Sequence, residues 1–180
     1  MSDAAIATGE RPPPGRAVPV RAPVTMAFAY TQTLLGTPDE VFALLCPVRE
    51  AEWVPGWRPS IVLSASGLVE RDCAFVTPDG ETPDGAAREA TWVVTEHDAE
   101  ARRVEMLKVS PGYLVTRLRI DVAAVDCGST AHVRYRYTAL GPDGEAFVRG
   151  RTPAHWAEFM QSWETSLNAY LDRARSRHPG

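Results

Sequence analysis

The sequence predicts an α+β domain in which a curved, seven-stranded antiparallel sheet wraps around a long C-terminal helix. Three observations carry the prediction. The last stretch sets Trp156, Phe159, Met160, Trp163, Leu167, Tyr170, Leu171 and Ala174 at helical spacing, an apolar stripe rich in aromatic rings. Ahead of it lies a run of strand-like segments separated by glycine-containing turns. Between the first strand and that run, a short helix carries a recognisable start signal.

Residues 1–23 are rich in Ala, Pro, Gly and Arg and lack an apolar period, so they are expected to form a disordered tail before a single domain over 24–180. The first strand is expected over Thr25–Leu35, where Phe28, Tyr30, Thr31 and Thr33 favour extended backbone and Gly36 stops it. Thr37 then stands as N-cap, Pro38 at the first helical position and Glu40 three residues past the cap. A threonine oxygen and a carboxylate so placed can each accept from an orphan backbone N–H. Val41, Phe42, Leu44 and Leu45 give that helix its buried side until Pro47 ends it, and a second short helical piece follows over Val48–Glu52.

Beyond the loop Trp53-Val54-Pro55-Gly56-Trp57, segments near 60–66, 73–77, 88–97, 102–110, 113–125 and 130–140 read as strands. Ser66-Gly67, Asp79-Gly80, Asp84-Gly85, Pro111-Gly112 and Cys127-Gly128 punctuate them as hairpin turns. Leu114, Leu118, Ile120 and Val122 alternate with Arg117, Arg119 and Asp121, and Val133, Tyr135 and Tyr137 alternate with His132, Arg134 and Arg136. That period of two means a sheet buried on one face and wet on the other. The inward faces of 88–97 and 102–110 are ambiguous. Gly141 and Gly144 are read as ending the last strand, and Thr152-Pro153 opens a closing helix over about 153–176. Such a helix is roughly 36 Å long, enough to cross the sheet.

Curved sheets closed by a helix commonly leave room beside it, and the residues that could line that room are aromatic. Trp53 and Trp57 flank Pro55-Gly56, where they either plug the open end of the sheet or shape a pocket mouth. Trp156, Met160 and Trp163 face the sheet from the closing helix, and Phe42, Phe75, Trp92, Met106 and Tyr135 are further candidates. Tyr135 and Tyr137 are the candidates for acid–base chemistry, since a phenol buried in an apolar pocket must find a partner or a ligand oxygen. Glu50 and Glu52 read as solvated helix charges and His155 as a rim histidine in the first turn of the closing helix.

Composition narrows the function. Hydrophobic residues make up 44% of the chain, enough for an ordinary core, and a net charge of −4 offers no basic field for nucleic acid. No window approaches the ~18–20 apolar residues of a membrane span. Cys46, Cys73 and Cys127 lack disulfide or zinc-ligand spacing, and the N-terminus lacks a secretory pattern, so a cytoplasmic protein is expected. His97, His132, His155 and His178 show no ligand spacing, and no Walker-type loop, dinucleotide fingerprint or nucleophile elbow is present. Neither metal nor cofactor is expected.

The segments Cys46-Pro47-Val48-Arg49-Glu50-Ala51-Glu52-Trp53-Val54-Pro55-Gly56-Trp57 and Tyr137-Thr138-Ala139-Leu140-Gly141-Pro142-Asp143-Gly144 resemble bacterial members of the START-like superfamily, often labelled SRPBCC. The resemblance spans about residues 25–175. It implies the helix-grip fold and a deep cavity between sheet and long helix. It also implies a hydrophobic small-molecule ligand such as a lipid, polyketide or aromatic metabolite. The superfamily's polyketide cyclases and aromatases offer an enzymatic alternative, and its chaperone cofactors a protein-interaction one. A homodimer is compatible with such a domain.

Overall fold

A computed structural model of the chain describes residues 20–81 and 86–177. The tail expected over 1–23 lies almost wholly outside them, as do the Asp84-Gly85 turn and His178. Within them a single seven-stranded sheet runs in the order β1-β7-β6-β5-β4-β3-β2, every neighbouring pair antiparallel. Its strands are β1 (Thr25–Leu34), β2 (Ile61–Leu63), β3 (Ala74–Glu81), β4 (Ala87–Asp98), β5 (Arg103–Ser110), β6 (Leu114–Val125) and β7 (Gly128–Ala139). Helix α1 (Pro38–Leu44) and a 3₁₀ turn (Arg49–Glu52) join β1 to β2, and α2 (Pro142–Gly150) and α3 (Pro153–Arg177) follow β7.

The start signal of α1 operates as its residues predict. The Glu40 amide donates to Thr37 Oγ1 at 3.3 Å, and the Thr37 amide donates to Glu40 Oε2 at 2.8 Å. The alternation in β6 and β7 also holds, with Leu118, Ile120, Val133 and Tyr135 buried and arginines on the outer face. There Arg103, Arg119 and Arg134 all converge on Asp121, whose carboxyl they hold down at about 2 against the opposing effect of burial.

Helix α3 does more than cover the sheet. β1 is an edge strand, so one row of its backbone groups has no neighbouring strand. Side chains of α3 serve that row. Glu164 Oε1 accepts from the Thr33 amide at 3.1 Å, Asn168 donates to the Thr33 carbonyl and accepts from the Leu35 amide at 2.9 Å each, and Arg175 donates to the Leu35 carbonyl. In return Gln32 of β1 donates to the Met160 carbonyl at 3.1 Å. The apolar stripe ends sooner than its spacing predicts: Leu171 is buried, whereas Ala174 is exposed.

Two segments correct the sequence reading. Helix α2 occupies residues read as the end of β7 and a loop. Pro142 takes its first turn, with Asp143 and Glu145 at the positive end of the helix dipole. Gly144 is there for contact rather than for flexibility, since a Cβ at this position would overlap the Tyr113 carbonyl oxygen. Asp79-Gly80, read as a hairpin turn, lies within β3. The register of β3 shifts between Pro78 and Glu81, with Gly80 at φ +77°, which lets the strand run on. A second shift between Val94 and Glu96 explains the ambiguous face of β4: the extra residue moves the alternation from one side of the sheet to the other.

Candidate ligand cavity

Between the concave face of the sheet and α3 lies a cavity of about 610 Å³. Its floor follows from strand register. Phe75, Trp92, Lys108, Thr116 and Tyr137 are successive cross-strand partners from β3 to β7, and so form one row across the sheet. One pleat away, Met106, Leu118 and Tyr135 form a second row. Phe159, Ser162, Trp163 and Ser166 of α3 make the opposite wall, and Phe147 and Arg151 close one end. The mouth lies by the Trp53–Trp57 loop, where Pro55 and Ser162 are exposed.

The rings are held by their polar edges. Trp53 Nε1 donates to the Leu44 carbonyl at 2.9 Å, Trp57 Nε1 to the Pro47 carbonyl at 2.7 Å, and Trp92 Nε1 to Thr77 Oγ1 at 2.9 Å. With those donors satisfied, the apolar surfaces of the indoles remain to form the cavity wall. Phe75 and Trp92 stack at 5.4 Å and 9°, and Trp57 meets both edge-on at 6.1 and 6.4 Å. Trp53 meets Trp163 edge-on at 5.7 Å, and Trp163 meets Phe159 at 5.4 Å.

Of the residues singled out from the sequence, Trp53, Trp57, Phe75, Trp92, Met106, Tyr135, Tyr137 and Trp163 line this cavity. Three others do not reach it. Phe42 stacks on His97 at 5.2 Å beneath α1, Trp156 is sandwiched between Phe28 at 5.6 Å and Tyr135 at 4.8 Å, and Met160 is fully buried where α3 meets β1. Helical spacing marks the buried side of α3 but not which part of that side faces free space. His155 is exposed and lies in the turn capped by Thr152 Oγ1, which accepts from its amide at 3.2 Å.

Beyond the two phenols, polar groups in the lining escape the sequence reading. Lys108, the chain's only lysine, points inward from β5 and donates to Asp79 Oδ1, while Ser110 donates to Asp79 Oδ2. The sequence signal was Lys108 itself, a lone lysine at the same parity as Val104 and Met106, but apolar Leu107 and Val109 on the other face masked the alternation. Tyr113 lies under the Arg88 guanidinium at 3.8 Å.

Glu50 is the larger correction. Glu52 behaves as a surface charge, accepting from Arg49 Nε at 3.0 Å and from the Tyr170 hydroxyl. Glu50, on the other side of the same 3₁₀ turn, is only 5% exposed and lines the cavity. Its backbone amide is bonded to the Cys46 carbonyl at 2.8 Å, but among the described residues nothing donates to its carboxyl. Burial alone pushes that carboxyl up to about 8, so near neutral pH it is predominantly a proton-bearing acid. Burial likewise raises Tyr135 well above the ordinary phenol range. Tyr137 is raised to about 12, with Arg151 partly offsetting the burial. Glu50, Tyr135 and Tyr137 thus present O–H donors to the cavity, beside the Lys108–Asp79 ion pair.

Among the described residues no three His, Cys, Asp or Glu side chains converge as a metal would require, and no helix is long and apolar enough to cross a membrane.

No protein-family model matches the sequence, and no curated protein matches it either. Solved structures do. A Rhodobacter sphaeroides protein aligns over 82% of this chain and 93% of its own, at 14% identity and a TM-score of 0.61. The ginseng (Panax ginseng) major latex-like protein 151 aligns over 82% and 97%, at 13% identity and 0.59. Norcoclaurine synthase from Thalictrum flavum, solved in complex with dopamine and hydroxybenzaldehyde, aligns over 84% and 94%, at 13% identity and 0.56. At these identities the likeness is one of fold. The chain has the helix-grip fold that these structures share.

Proposed function

We propose that the protein binds a small, largely apolar molecule, aromatic or polyketide-like, in the cavity between sheet and α3. The observation that carries this reading is a cavity of about 610 Å³ walled mainly by fixed aromatic rings. That size falls inside the ~300–1,000 Å³ of small-molecule pockets, and such walls gain more from an organic guest than from water. The ginseng and Thalictrum proteins share the fold, and the second of them holds two small aromatic molecules. The buried free thiols Cys46 and Cys73 support a cytoplasmic setting.

The test is titration with a neutral fluorescent probe, N-phenyl-1-naphthylamine. Saturable binding is expected, weakened at least tenfold by Trp163→Ala or Trp57→Ala while far-UV circular dichroism is unchanged. No binding, or binding indifferent to both changes, would overturn the reading.

A second reading, proton transfer on an enolisable substrate as in a cyclase, is favoured by the convergence of Lys108 and Ser110 on Asp79, with Thr116 and Tyr137 next in the same row. It predicts that the protein speeds deuterium exchange at the α-carbon of an aryl 1,3-diketone in D₂O. Lys108→Met should abolish the acceleration while retaining probe binding. Exchange at the buffer rate would exclude it.

A further inference from the structure

Two ionisable groups of the cavity, Arg151 and Glu50, have no counter-ion among the described residues. Lys108 is compensated by Asp79. Arg151 is held 5.1 Å from the centre of the Phe147 ring and reaches the Tyr137 hydroxyl, with its buried Nε unpartnered among the described residues. Among the described residues Glu50 has neither a cation nor a hydrogen-bond donor, and it faces the cavity from the turn that also carries Trp53. The walls of the cavity that it faces are largely aromatic. Trp53, Trp163 and Phe159 form a contiguous edge-to-face series, and Tyr135, close enough for a charge on Glu50 to help raise its pKa, lines the same cavity. An acidic oxygen among aromatic faces is the chemistry that recognises an ammonium group. The carboxylate supplies the counter-charge, and the negative ring faces attract the N–H and C–H edges of the cation.

Resting on the reading of the cavity as a small-molecule site, we propose that its guest is an organic amine: an aryl or apolar body among the rings, with its ammonium group on Glu50. An inorganic cation is a poor fit, since one carboxylate with no second ligand cannot replace a hydration shell.

Binding is then linked to a proton. Empty, Glu50 holds its proton up to about pH 8; opposite an ammonium it gives that proton up. The other titratable groups facing the cavity are Lys108 and Asp79, already paired, Arg151, and the phenols Tyr113, Tyr135 and Tyr137, all three raised above the ordinary value. From α3 the cavity receives Phe159, Ser162, Trp163 and Ser166, none of which titrates in this range. Between pH 6 and 8, affinity for an amine whose own pKa is near 10 should therefore rise roughly 50-fold, with about one proton released per molecule bound at pH 6.5.

The experiment is isothermal titration calorimetry with 2-(2-naphthyl)ethylamine and its neutral isostere 2-(2-naphthyl)ethanol, in phosphate and in Tris to count protons. At pH 8 the amine should bind at least tenfold tighter than the alcohol. Proton release and the rise with pH should belong to the amine alone. Glu50→Gln should bind both compounds equally, without proton release and without pH dependence. Binding of the alcohol as tight as that of the amine, or amine binding with no proton released, overturns the proposal and leaves the cavity reading standing. Binding of neither compound overturns both.

Discussion

Replacing Glu50 by glutamine tests the most consequential assignment in the structure without any ligand. In the unfolded chain a glutamate ionises near its ordinary value of 4.5, whereas in the fold burial holds it protonated up to about 8. Between those values the native state binds more protons than the unfolded state, so stability falls as pH rises. The contribution is fully present below about pH 4.5, drains away through the window and is lost above about pH 8. A difference of about 3.5 units at 1.36 kcal/mol per unit corresponds to about 5 kcal/mol over the whole window. Glutamine keeps the shape and does not ionise. The stability difference between Glu50→Gln and the parent should therefore widen in favour of the variant by about 3 kcal/mol between pH 5.5 and 8.5. Urea unfolding followed by tryptophan fluorescence at several pH values measures it, and taking the difference cancels groups common to both proteins, such as Asp121 and the phenols. A gap that is constant with pH, or one that narrows, would show that Glu50 ionises normally in the fold and would refute the assignment.

Other outcomes follow from single contacts. Gly144→Ala forces a methyl group into the Tyr113 carbonyl and should lower stability by about 2 kcal/mol or more, read as a fall in Tm; a tolerated alanine would mean that α2 is not pressed against that loop. Lys108→Met strands Asp79, whose side chain is 12% exposed, and should cost about 2–3 kcal/mol. Adding Asp79→Asn should restore most of that loss, and additive losses in the double variant would show the pair to be uncoupled. Asn168→Ala removes two bonds to the β1 edge and should cost about 1–2 kcal/mol, with faster amide hydrogen exchange at Leu35; unchanged exchange would mean that water already serves this edge.

The sequence made the frame readable because period and capping are local. The Thr37–Glu40 box needs four residues, and the tyrosine–arginine alternation of β7 follows from each side chain's parity along one strand. What escaped depends on partners distant in sequence. Gly144 reads as a breaker until the Tyr113 carbonyl is known to press on it. The parity of Lys108 hints at an inward position, but the partner that makes it tolerable there, Asp79, is carried in by a strand that runs past an apparent turn. Glu50 and Glu52 are indistinguishable in a short turn of charged residues, yet one is held in water by Arg49 while the other is turned beneath the tryptophan loop. The lining of the cavity was legible as far as it is aromatic, the phenols Tyr135 and Tyr137 included, whereas Glu50, Asp79 and Lys108 were not.

A chain with one lysine offers amine-selective reagents a single side-chain target. Because that lysine lies inside the hollow, acylation or reductive methylation would report on the interior, and isotope-labelled methyl groups installed there would give one resonance sensitive to occupancy. The protein carries its own spectroscopic tag, placed by the fold where a guest would be felt.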